Sequence, residues 1–397
     1  MSSLPPLSLY LHFPWCVSKC PYCDFNSYTL RETLPEQRYL RALEQDLAAQ
    51  IEAMSVGTRE IVSIFMGGGT PSLFAPQSIA QLLAFIAGSL PLAADAEITL
   101  EANPGTIERG RFAEYRAAGV NRVSLGAQSF DAHKLKALGR IHSPADTCRA
   151  AEELHAAGLD NFNLDLMFAL PGQTPQQALA DVEQAIALAP RHLSHYQLTL
   201  EPGTPFAAAP PAELPTDDGA DEMLGLCQQR LAQAGFARYE VSGYALPGAQ
   251  CRHNQNYWTY GDYLGVGAGA HGKLSAAATS ASPSALQITR TTQWREPRKY
   301  LAHAPAQVTL RPVAPAEIPF EFMLNALRRV DGFARSDYEL RTGLGWQSIA
   351  QACGQLVERG LLQFEGDQVF PGERGLRFLN EALLSFLPPE SLSGTGT

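Results

Sequence analysis

The chain has 397 residues, a formal net charge of −10 at pH 7 and 45% hydrophobic residues. That length allows one large domain and a smaller one. The acidic balance argues against nucleic acid as the main ligand, and no apolar run approaches the roughly 20 residues that cross a bilayer, so any membrane contact should be peripheral. Scattered cysteines and an N-terminus without a signal core predict a cytoplasmic protein.

Short apolar strand patterns alternate with amphipathic helix patterns from residue 7 to about 243, which predicts β/α units on a parallel sheet. The predicted strands are residues 7–13, 61–66, 97–101, 122–126, 162–168 and 192–200. The predicted helices are residues 40–54, 77–89, 107–118, 144–157 and 175–189. Six such units predict a partial (β/α)6 barrel of the TIM type, with its active site at the carboxyl ends of the strands.

The β/α pattern stops after Tyr244, where a stretch rich in glycine and aromatic residues begins. Residues 275–286 are rich in Ala and Ser and predict a loop. Helices at 316–329, 335–342 and 347–359 then precede a hairpin with Gly366 at its turn. We therefore divide the chain into a barrel core (1–245), a barrel extension (246–310) and a winged-helix-like domain (311–397). Acidic residues among that domain's arginines argue against DNA binding.

Three cysteines, Cys16, Cys20 and Cys23, follow the first predicted strand in a C-x3-C-x2-C pattern. A four-iron cluster normally takes four thiolates, so three on one loop leave one iron open to a ligand that is not protein. A zinc knuckle is an alternative, but it would need a second Cys/His pair, which the sequence lacks. A redox pair at Cys20 and Cys23 is another, but the thioredoxin pattern is missing.

Consecutive glycines end the second predicted strand, in the run Gly67, Gly68, Gly69, Thr70. Glycines let backbone amides approach a ligand closely. Because this run stands at the carboxyl end of a barrel strand, in a chain with an incomplete cluster site, it predicts a ligand-binding loop.

These features together resemble the radical S-adenosylmethionine (SAM) superfamily, and Tyr22 before the last cysteine also matches that superfamily's usual loop. The resemblance implies that the cysteines hold a 4Fe-4S cluster whose open iron takes the amino and carboxylate groups of SAM. It also implies that the reduced cluster cleaves SAM to a 5′-deoxyadenosyl radical, which is chemistry of the cofactor rather than of side chains.

Closer matches resemble the oxygen-independent coproporphyrinogen III oxidase family, and in particular its haem-chaperone branch. They lie at residues 10–25, 67–71, 101–105, 124–130, 138–142 and 163–171. The resemblance implies that the SAM site includes Tyr10, Gly68, Gly69, Thr70, Glu101, Gln128, Arg140 and Asp165. Glu101 ends the third predicted strand, Gln128 follows the fourth and Asp165 sits in the fifth, so their side chains can converge on one barrel mouth. An acidic residue can bind ribose hydroxyls or an ammonium, and an arginine can pair with a carboxylate.

Two departures separate the chain from oxidases of this family. Those enzymes carry another cysteine two residues after the triplet and a longer N-terminal arm, whereas this chain has Phe25 and nine residues before Tyr10. The resemblance therefore implies a chaperone that passes haem b to acceptor haem proteins such as membrane respiratory enzymes. A coproporphyrinogen III dehydrogenase and a radical enzyme for another substrate remain alternatives.

The segment from His253 to Trp258 matches the H-N-x-x-Y-W motif typical of the chaperone branch. Imidazole is a good axial ligand for haem iron and aromatic rings can stack on the macrocycle, so His253 is our first haem-binding candidate. A histidine in such a region can also simply satisfy backbone groups. The alternatives are His12, His133, His142, His195 and His271, with His271 the strongest rival. By resemblance we expect a homodimer that depends on the three cysteines.

Overall fold

The computed structural model describes residues 4–105, 110–277, 286–304 and 308–388. Its strands, in chain order, are β1 (Leu7–Phe13), β2 (Trp15–Cys16), β3 (Tyr28–Thr29), β4 (Ile61–Gly68), β5 (Leu92–Ala102), β6 (Arg122–Gln128), β7 (Phe162–Phe168), β8 (His192–Gln197), β9 (Ala237–Arg238), β10 (Gly243–Ala245), β11 (Asp262–Val266), β12 (His271–Ala276), β13 (Gln287–Thr292), β14 (Thr309–Pro312), β15 (Phe333–Ala334), β16 (Leu362–Glu365) and β17 (Gln368–Pro371).

The helices are α1 (Glu36–Met54), α2 (Pro76–Ser89), α3 (Phe112–Ala118), α4 (Ala132–Ala137), α5 (Pro144–Ala156), α6 (Pro175–Ala187), α7 (Pro205–Ala208), α8 (Asp217–Gln233), α9 (Arg252–Trp258), α10 (Pro297–Ala302), α11 (Ile318–Ala326), α12 (Arg335–Thr342), α13 (Gln347–Glu358), α14 (Glu373–Arg377) and α15 (Leu379–Leu383), with short 3₁₀ turns at Pro71–Leu73 and Leu384–Phe386. Over the described ranges, no helix is both long and apolar enough to span a membrane.

Six parallel strands form the barrel in the order β1-β4-β5-β6-β7-β8, and helices connect each strand to the next. The predicted partial (β/α)6 barrel is therefore confirmed. Strands β1 and β7 have the predicted bounds. Strand β4 runs on to Gly68 because Gly67 and Gly68 still pair with His12 and Phe13 of β1.

The same sheet continues beyond the barrel on both edges. Strand β11 pairs in parallel with β1 on the side opposite β4, and β12, β13 and β14 follow as antiparallel neighbours. Strands β10 and β9 add to the other edge beside β8. The predicted loop at 275–286 is wrong at its start, because Ser275 and Ala276 pair with β13; residues 278–285 lie outside the described residues.

Two hydrophobic cores support this architecture. The larger core packs the outer faces of the barrel strands against the helices, as the apolar stripe of α1 shows, where Leu40, Leu43 and Leu47 are buried. The smaller core lies in the C-terminal domain around Phe322 and Tyr338. The predicted helix start at residue 107 lies outside the described residues, and α3 begins at Phe112.

In the C-terminal domain, helices α11 to α13 accompany a small sheet in the order β15-β17-β16, and the short helices α14 and α15 follow. This arrangement confirms the predicted winged-helix-like fold. The domain packs on the barrel through Arg328, whose guanidinium lies 4.4 Å from the centre of the Trp258 ring and whose Nη2 lies 3.0 Å from Glu240 Oε2.

Candidate active site

A cavity of about 560 Å³ opens at the carboxyl ends of the barrel strands, under the loop that carries the three cysteines. The structure brings nearly all the predicted site residues together in its wall. They are Tyr10, Cys16, Cys20, Tyr22, Cys23, Gly68, Gly69, Glu101, Gln128, Arg140, Asp165 and His253. Thr70 lies behind this wall, in a smaller cavity of about 130 Å³ that also contacts Cys20 and Arg140.

The cysteine loop is held in a defined shape by its own polar groups. Lys19 Nζ donates hydrogen bonds to the carbonyl oxygens of Phe25 (2.9 Å) and Ser27 (3.0 Å). Asn26 Nδ2 ties the loop to the barrel extension by donating to the carbonyl oxygens of Ala268 (2.9 Å) and Arg295 (2.8 Å). The bonds of Lys19 hold the loop together internally, and those of Asn26 attach it to the barrel extension.

The three thiols are half-buried and spread along one wall of the cavity. Burial raises the pKa of the Cys16 and Cys23 thiols. Arg140 Nη1 lies 3.7 Å from Cys20 Sγ, so a guanidinium is available to stabilise a thiolate there. Within the described chain no three Cys, His, Asp or Glu side chains converge closely enough to hold one metal ion. Three thiols on one loop suit a cluster, in which each cysteine binds a different iron.

The glycine-rich loop packs tightly against the first strand. The amides of Gly69 and Thr70 donate to the carbonyl oxygens of Phe13 (2.7 Å) and Trp15 (2.8 Å), and a Cβ at Gly69 would lie 2.5 Å from the Trp15 oxygen. The Gly68 amide donates to a carboxylate of the cavity wall at 3.0 Å. Glycine is required at residue 69 because a side chain there would collide with the Trp15 backbone. Since the three amides are already engaged, a ligand would contact the loop through other backbone atoms.

Two carboxylates, Glu101 and Asp165, face the cavity from β5 and β7. Burial, and then the charge of Asp165, raises the pKa of Glu101 to about 8, opposed by the hydrogen bond from Gly68. Burial also raises the pKa of Asp165, which accepts hydrogen bonds from Asn163 Nδ2 (2.8 Å) and Ser124 Oγ (3.3 Å). Two close carboxylates favour a ligand that is positively charged or rich in hydroxyl groups.

Arg140 occupies the wall between the cysteine loop and the glycine loop. Its Nη2 donates to Asn103 Oδ1 (2.6 Å) and to the Gly126 carbonyl (2.8 Å), while Asn103 Nδ2 donates to Thr70 Oγ1 (2.9 Å). Asn103 was not among the predicted site residues, although it follows Glu101 by two residues, just beyond the end of β5. Asn103 connects Thr70 to Arg140.

Strands β6 and β8 build another part of the cavity wall. Gln128 ends β6 with φ of +66° and accepts a hydrogen bond from Tyr196 OH at 2.9 Å. Tyr196 was missed from the sequence, although it alternates with the cavity residue Ser194 on β8. Tyr22 packs near Phe206, with ring centres 6.3 Å apart, so the cysteine loop is anchored to this side by an aromatic contact.

His253 forms part of the cavity floor, and its side chain is only 1% exposed. The imidazole stacks on Phe65 (4.9 Å between ring centres) and lies 6.2 Å from the ring of Tyr10. Its Nδ1 lies 3.2 Å from Ser63 Oγ, whereas its Nε2 is buried without a hydrogen-bond partner in the described part of the chain. Burial, and then the charge of Arg122, lowers the pKa of His253 to about 3, so the ring is neutral.

Helix α9, which carries His253, closes the amino end of the barrel. The amides of Arg252 and His253 lie 3.2 and 3.3 Å from the carboxylate of Glu97, and Cys251 Sγ lies 3.5 Å from it. A carboxylate at a helix N-terminus satisfies unpaired amides and interacts favourably with the helix dipole. Glu97 is therefore the group that fixes the H-N-x-x-Y-W helix to the barrel.

The other histidines differ in their surroundings. His12 bonds to Tyr10 OH (3.0 Å) and to the Asn26 carbonyl (2.9 Å), so both of its ring nitrogens are engaged. His142 and His195 are buried, and His133 is exposed on α4. His271 is exposed at the start of β12, beside a groove of about 730 Å³ outside the barrel.

A six-stranded parallel barrel with three thiols above a polar cavity defines a radical SAM protein. Residues 10–185 match the Radical SAM superfamily, and residues 313–378 match the HemN C-terminal domain. The coproporphyrinogen III oxidase HemN of Escherichia coli shares the fold with a TM-score of 0.78 at 22% identity, over 96% of this chain and 90% of that one. This class implies a 4Fe-4S cluster and SAM, and the three thiols and the acidic cavity fit them.

Similarity to individual proteins is higher and extends over nearly the full length. The heme chaperone HemW of Escherichia coli is 47% identical over 98% of this chain and 100% of its own. The heme chaperone HemW of Haemophilus influenzae is 45% identical with the same coverage, and that of Mycobacterium tuberculosis is 37% identical over 96% of this chain and 95% of its own. The chain belongs to the HemW family.

Proposed function

We propose that this protein is a cytoplasmic haem chaperone that binds haem b and passes it to acceptor haem proteins, such as membrane respiratory enzymes. The observation that carries the proposal is the 47% identity to a relative named as a heme chaperone, over 98% of this chain. Likeness to the coproporphyrinogen oxidase, at 22% identity, concerns the fold.

Phe25 supports a chaperone rather than an oxidase. It occupies the position at which oxidases of the wider family carry a further cysteine. Its side chain is 57% exposed and lines the mouth of the cavity. A phenyl ring cannot ligate a metal, but an exposed one can contact a hydrophobic cargo or a protein partner.

We assign the cofactor site to the cavity wall, with Cys16, Cys20 and Cys23 as the cluster ligands. A bound, reduced cluster would supply the electron for radical chemistry on SAM. In this proposal Arg140 pairs with the carboxylate of SAM, and Glu101 binds its ribose hydroxyls or ammonium.

The remaining cavity residues shape and close the site. Asp165 adds a second carboxylate whose charge favours the sulfonium of SAM. Gln128 is oriented by Tyr196, while Tyr22 packs at the cysteine loop and Tyr10 covers the floor. Gly68, Gly69 and Thr70 complete the wall that the cofactor contacts.

Two histidines remain as ligands for haem iron in this proposal. His253 lines the cavity itself, and its neutral ring has a nitrogen without a partner among the described residues. His271 is exposed on the barrel extension. A homodimer that depends on the three cluster cysteines is part of the same proposal.

A paired assay tests the function. Anaerobically reconstituted protein is incubated with SAM and coproporphyrinogen III, and in parallel it is loaded with haemin and mixed with an apo-form of a respiratory haem enzyme. We expect haem transfer and activation of the acceptor, with no protoporphyrinogen product. Product formation would favour the alternative dehydrogenase, and failure to bind haemin would overturn the chaperone proposal.

A further inference from the structure

We propose that haem binds in a groove between the barrel extension and the C-terminal domain, with His271 as an iron ligand. This inference rests on the proposed chaperone function and assigns its cargo site. The groove consists of two adjoining cavities of about 730 and 260 Å³, which share Tyr263, Arg290 and Leu324 in their walls. The larger cavity is within the range of roughly 300–1,000 Å³ usual for cofactor sites.

The floor of the groove is one face of the extended sheet. Tyr263, Lys273, Arg290 and Arg311 stand in register across β11, β12, β13 and β14. His271 precedes Lys273 by two residues, and alternate residues of a strand share a face, so its imidazole projects on the same side. The sheet thus presents an imidazole beside a row of cations and a phenol.

Apolar side chains form the opposite wall and one end. Phe320 and Leu324 of α11 line the larger cavity together with Leu387, and Leu324 is 45% exposed. Trp258 of the H-N-x-x-Y-W motif lines the smaller cavity. A porphyrin has two apolar faces and needs walls of this kind. The exposed part of Leu324 is apolar surface that a bound porphyrin would bury.

His271 is better placed than His253 to meet an iron at a site from which cargo must leave. Nδ1 of His271 lies 3.4 Å from Thr292 Oγ1, and its Nε2 makes no hydrogen bond within the described ranges. An imidazole fixed at one nitrogen and open at the other is the arrangement of an axial ligand. His253 is enclosed by Phe65, Tyr10 and Tyr257, so haem bound there would compete with SAM for the cavity.

The charges of the groove can accommodate propionates. Arg290 pairs with Glu321 (2.8 Å), and Arg311 pairs with Glu317 (2.8 Å) and Glu321 (3.6 Å). Arg311 is 54% exposed and Glu317 is 38% exposed, and exposed ion pairs contribute little, so a propionate can replace Glu317 at small cost. The third cation, Lys273, is paired with the buried Asp262 and is therefore not expected to bind a propionate.

Tyr257 lines both the barrel cavity and the smaller cavity of the groove. Its ring lies 4.6 Å from that of His253 on one side and 4.4 Å from that of Tyr263 on the other. The H-N-x-x-Y-W helix is therefore a partition, with its histidine toward the cofactor cavity and its aromatic residues toward the groove. This position gives the motif a role at the haem site without requiring His253 to bind iron.

Haemin titration of the full-length protein, followed by the Soret band, tests the ligand. We expect His271→Ala to shift the band and to weaken haemin binding about tenfold or more, and added imidazole to restore the band. His133→Ala, which removes an exposed histidine far from the groove, should behave as wild type. An unchanged spectrum and affinity for His271→Ala would overturn the inference, and their loss in His253→Ala instead would place iron in the barrel.

A second pair of variants tests the groove without touching iron ligands. Leu324→Trp should fill the space beside α11 and weaken haemin binding, while Leu340→Trp, at another exposed leucine of the C-terminal domain, should not. Circular dichroism and thermal unfolding check that both variants fold. Equal haemin binding by both would refute the groove, whereas a wild-type protein that neither binds nor transfers haem would refute the proposed function itself.

Discussion

Glu101 shows how the protein prepares its cavity for a charged ligand. Its carboxylate is held in the wall by the Gly68 amide, and the charge of a second carboxylate, Asp165, helps to raise its pKa. Both acids were predicted from the family resemblance, with support from their positions on the strands. The sequence could not identify Asn103 and Tyr196 as their companions, because a polar side chain gains its role here only from neighbours on other strands.

The first prediction concerns the pH dependence of stability in the ligand-free protein. The pKa of Glu101 rises from 4.5 in the unfolded chain to about 8 in the folded protein. Between these pH values Glu101 binds more protons in the folded state than in the unfolded chain, so its contribution to the free energy of unfolding falls as pH rises from about 4.5 to about 8. Glu101→Gln should make this decline shallower, as measured by urea unfolding at pH 5, 6, 7 and 8.

The matched control for that prediction is Glu152→Gln, which removes a carboxylate from an exposed position on α5. It should leave the slope of stability against pH unchanged. If Glu101→Gln and Glu152→Gln give the same slope as wild type, Glu101 is not the group responsible for the decline.

The second prediction concerns the cluster ligands. Replacing Cys16 with Ser removes one of three thiolates and should abolish the brown absorbance and most of the bound iron after anaerobic reconstitution. The half-buried Cys148 lies outside the cavity, so Cys148→Ser should retain both. Far-ultraviolet circular dichroism should be the same for both variants, and full iron content in Cys16→Ser would contradict the assignment.

At the scale of elements, local patterns predicted the exact bounds of two of the buried strands. Strands β1 and β7 are buried along nearly their whole length, and their apolar runs marked the correct bounds. Strand β11 was missed because it pairs with β1 across more than two hundred residues and contains glycine. Helix α9 was missed because its cap, Glu97, is distant in sequence, so no local capping signal precedes it.

The third prediction tests that distant cap. Glu97→Gln should destabilise the protein by about 1–3 kcal/mol, because the buried amides of Arg252 and His253 lose a charged acceptor. Asp95→Asn is the control, since Asp95 bonds to Arg252 at the surface and should contribute less than about 1 kcal/mol. Urea unfolding measures both, and equal small losses would mean that the helix does not depend on Glu97.

At the scale of the whole molecule, the barrel and the C-terminal domain are joined through the floor of the barrel. Arg328 reaches from the C-terminal domain to Trp258 and to the nearly buried Glu240. The sequence predicted both domains from their separate patterns. It could not predict this contact, because nothing in a local pattern reports which surface of one domain meets the other.

The fourth prediction is that Arg328→Ala loosens the domain contact. The change leaves Glu240 without its cation and removes a cation–π contact, so we expect a loss of about 2 kcal/mol and earlier proteolytic cleavage between the domains. Arg359→Ala, which breaks an exposed ion pair with Glu381 inside the C-terminal domain, should have little effect. Limited proteolysis and urea unfolding distinguish the two, and similar profiles would contradict the prediction.

The attachment of Asn26 to the barrel extension couples two distant parts of the molecule mechanically. Both hydrogens of its amide are donated to backbone carbonyls, one of them at Ala268. The next residue, Gly269, has φ of +81°, and a Cβ there would overlap the Asn26 side chain. His271 follows two residues later. Through these contacts the cysteine loop and the backbone leading to His271 are held directly to each other.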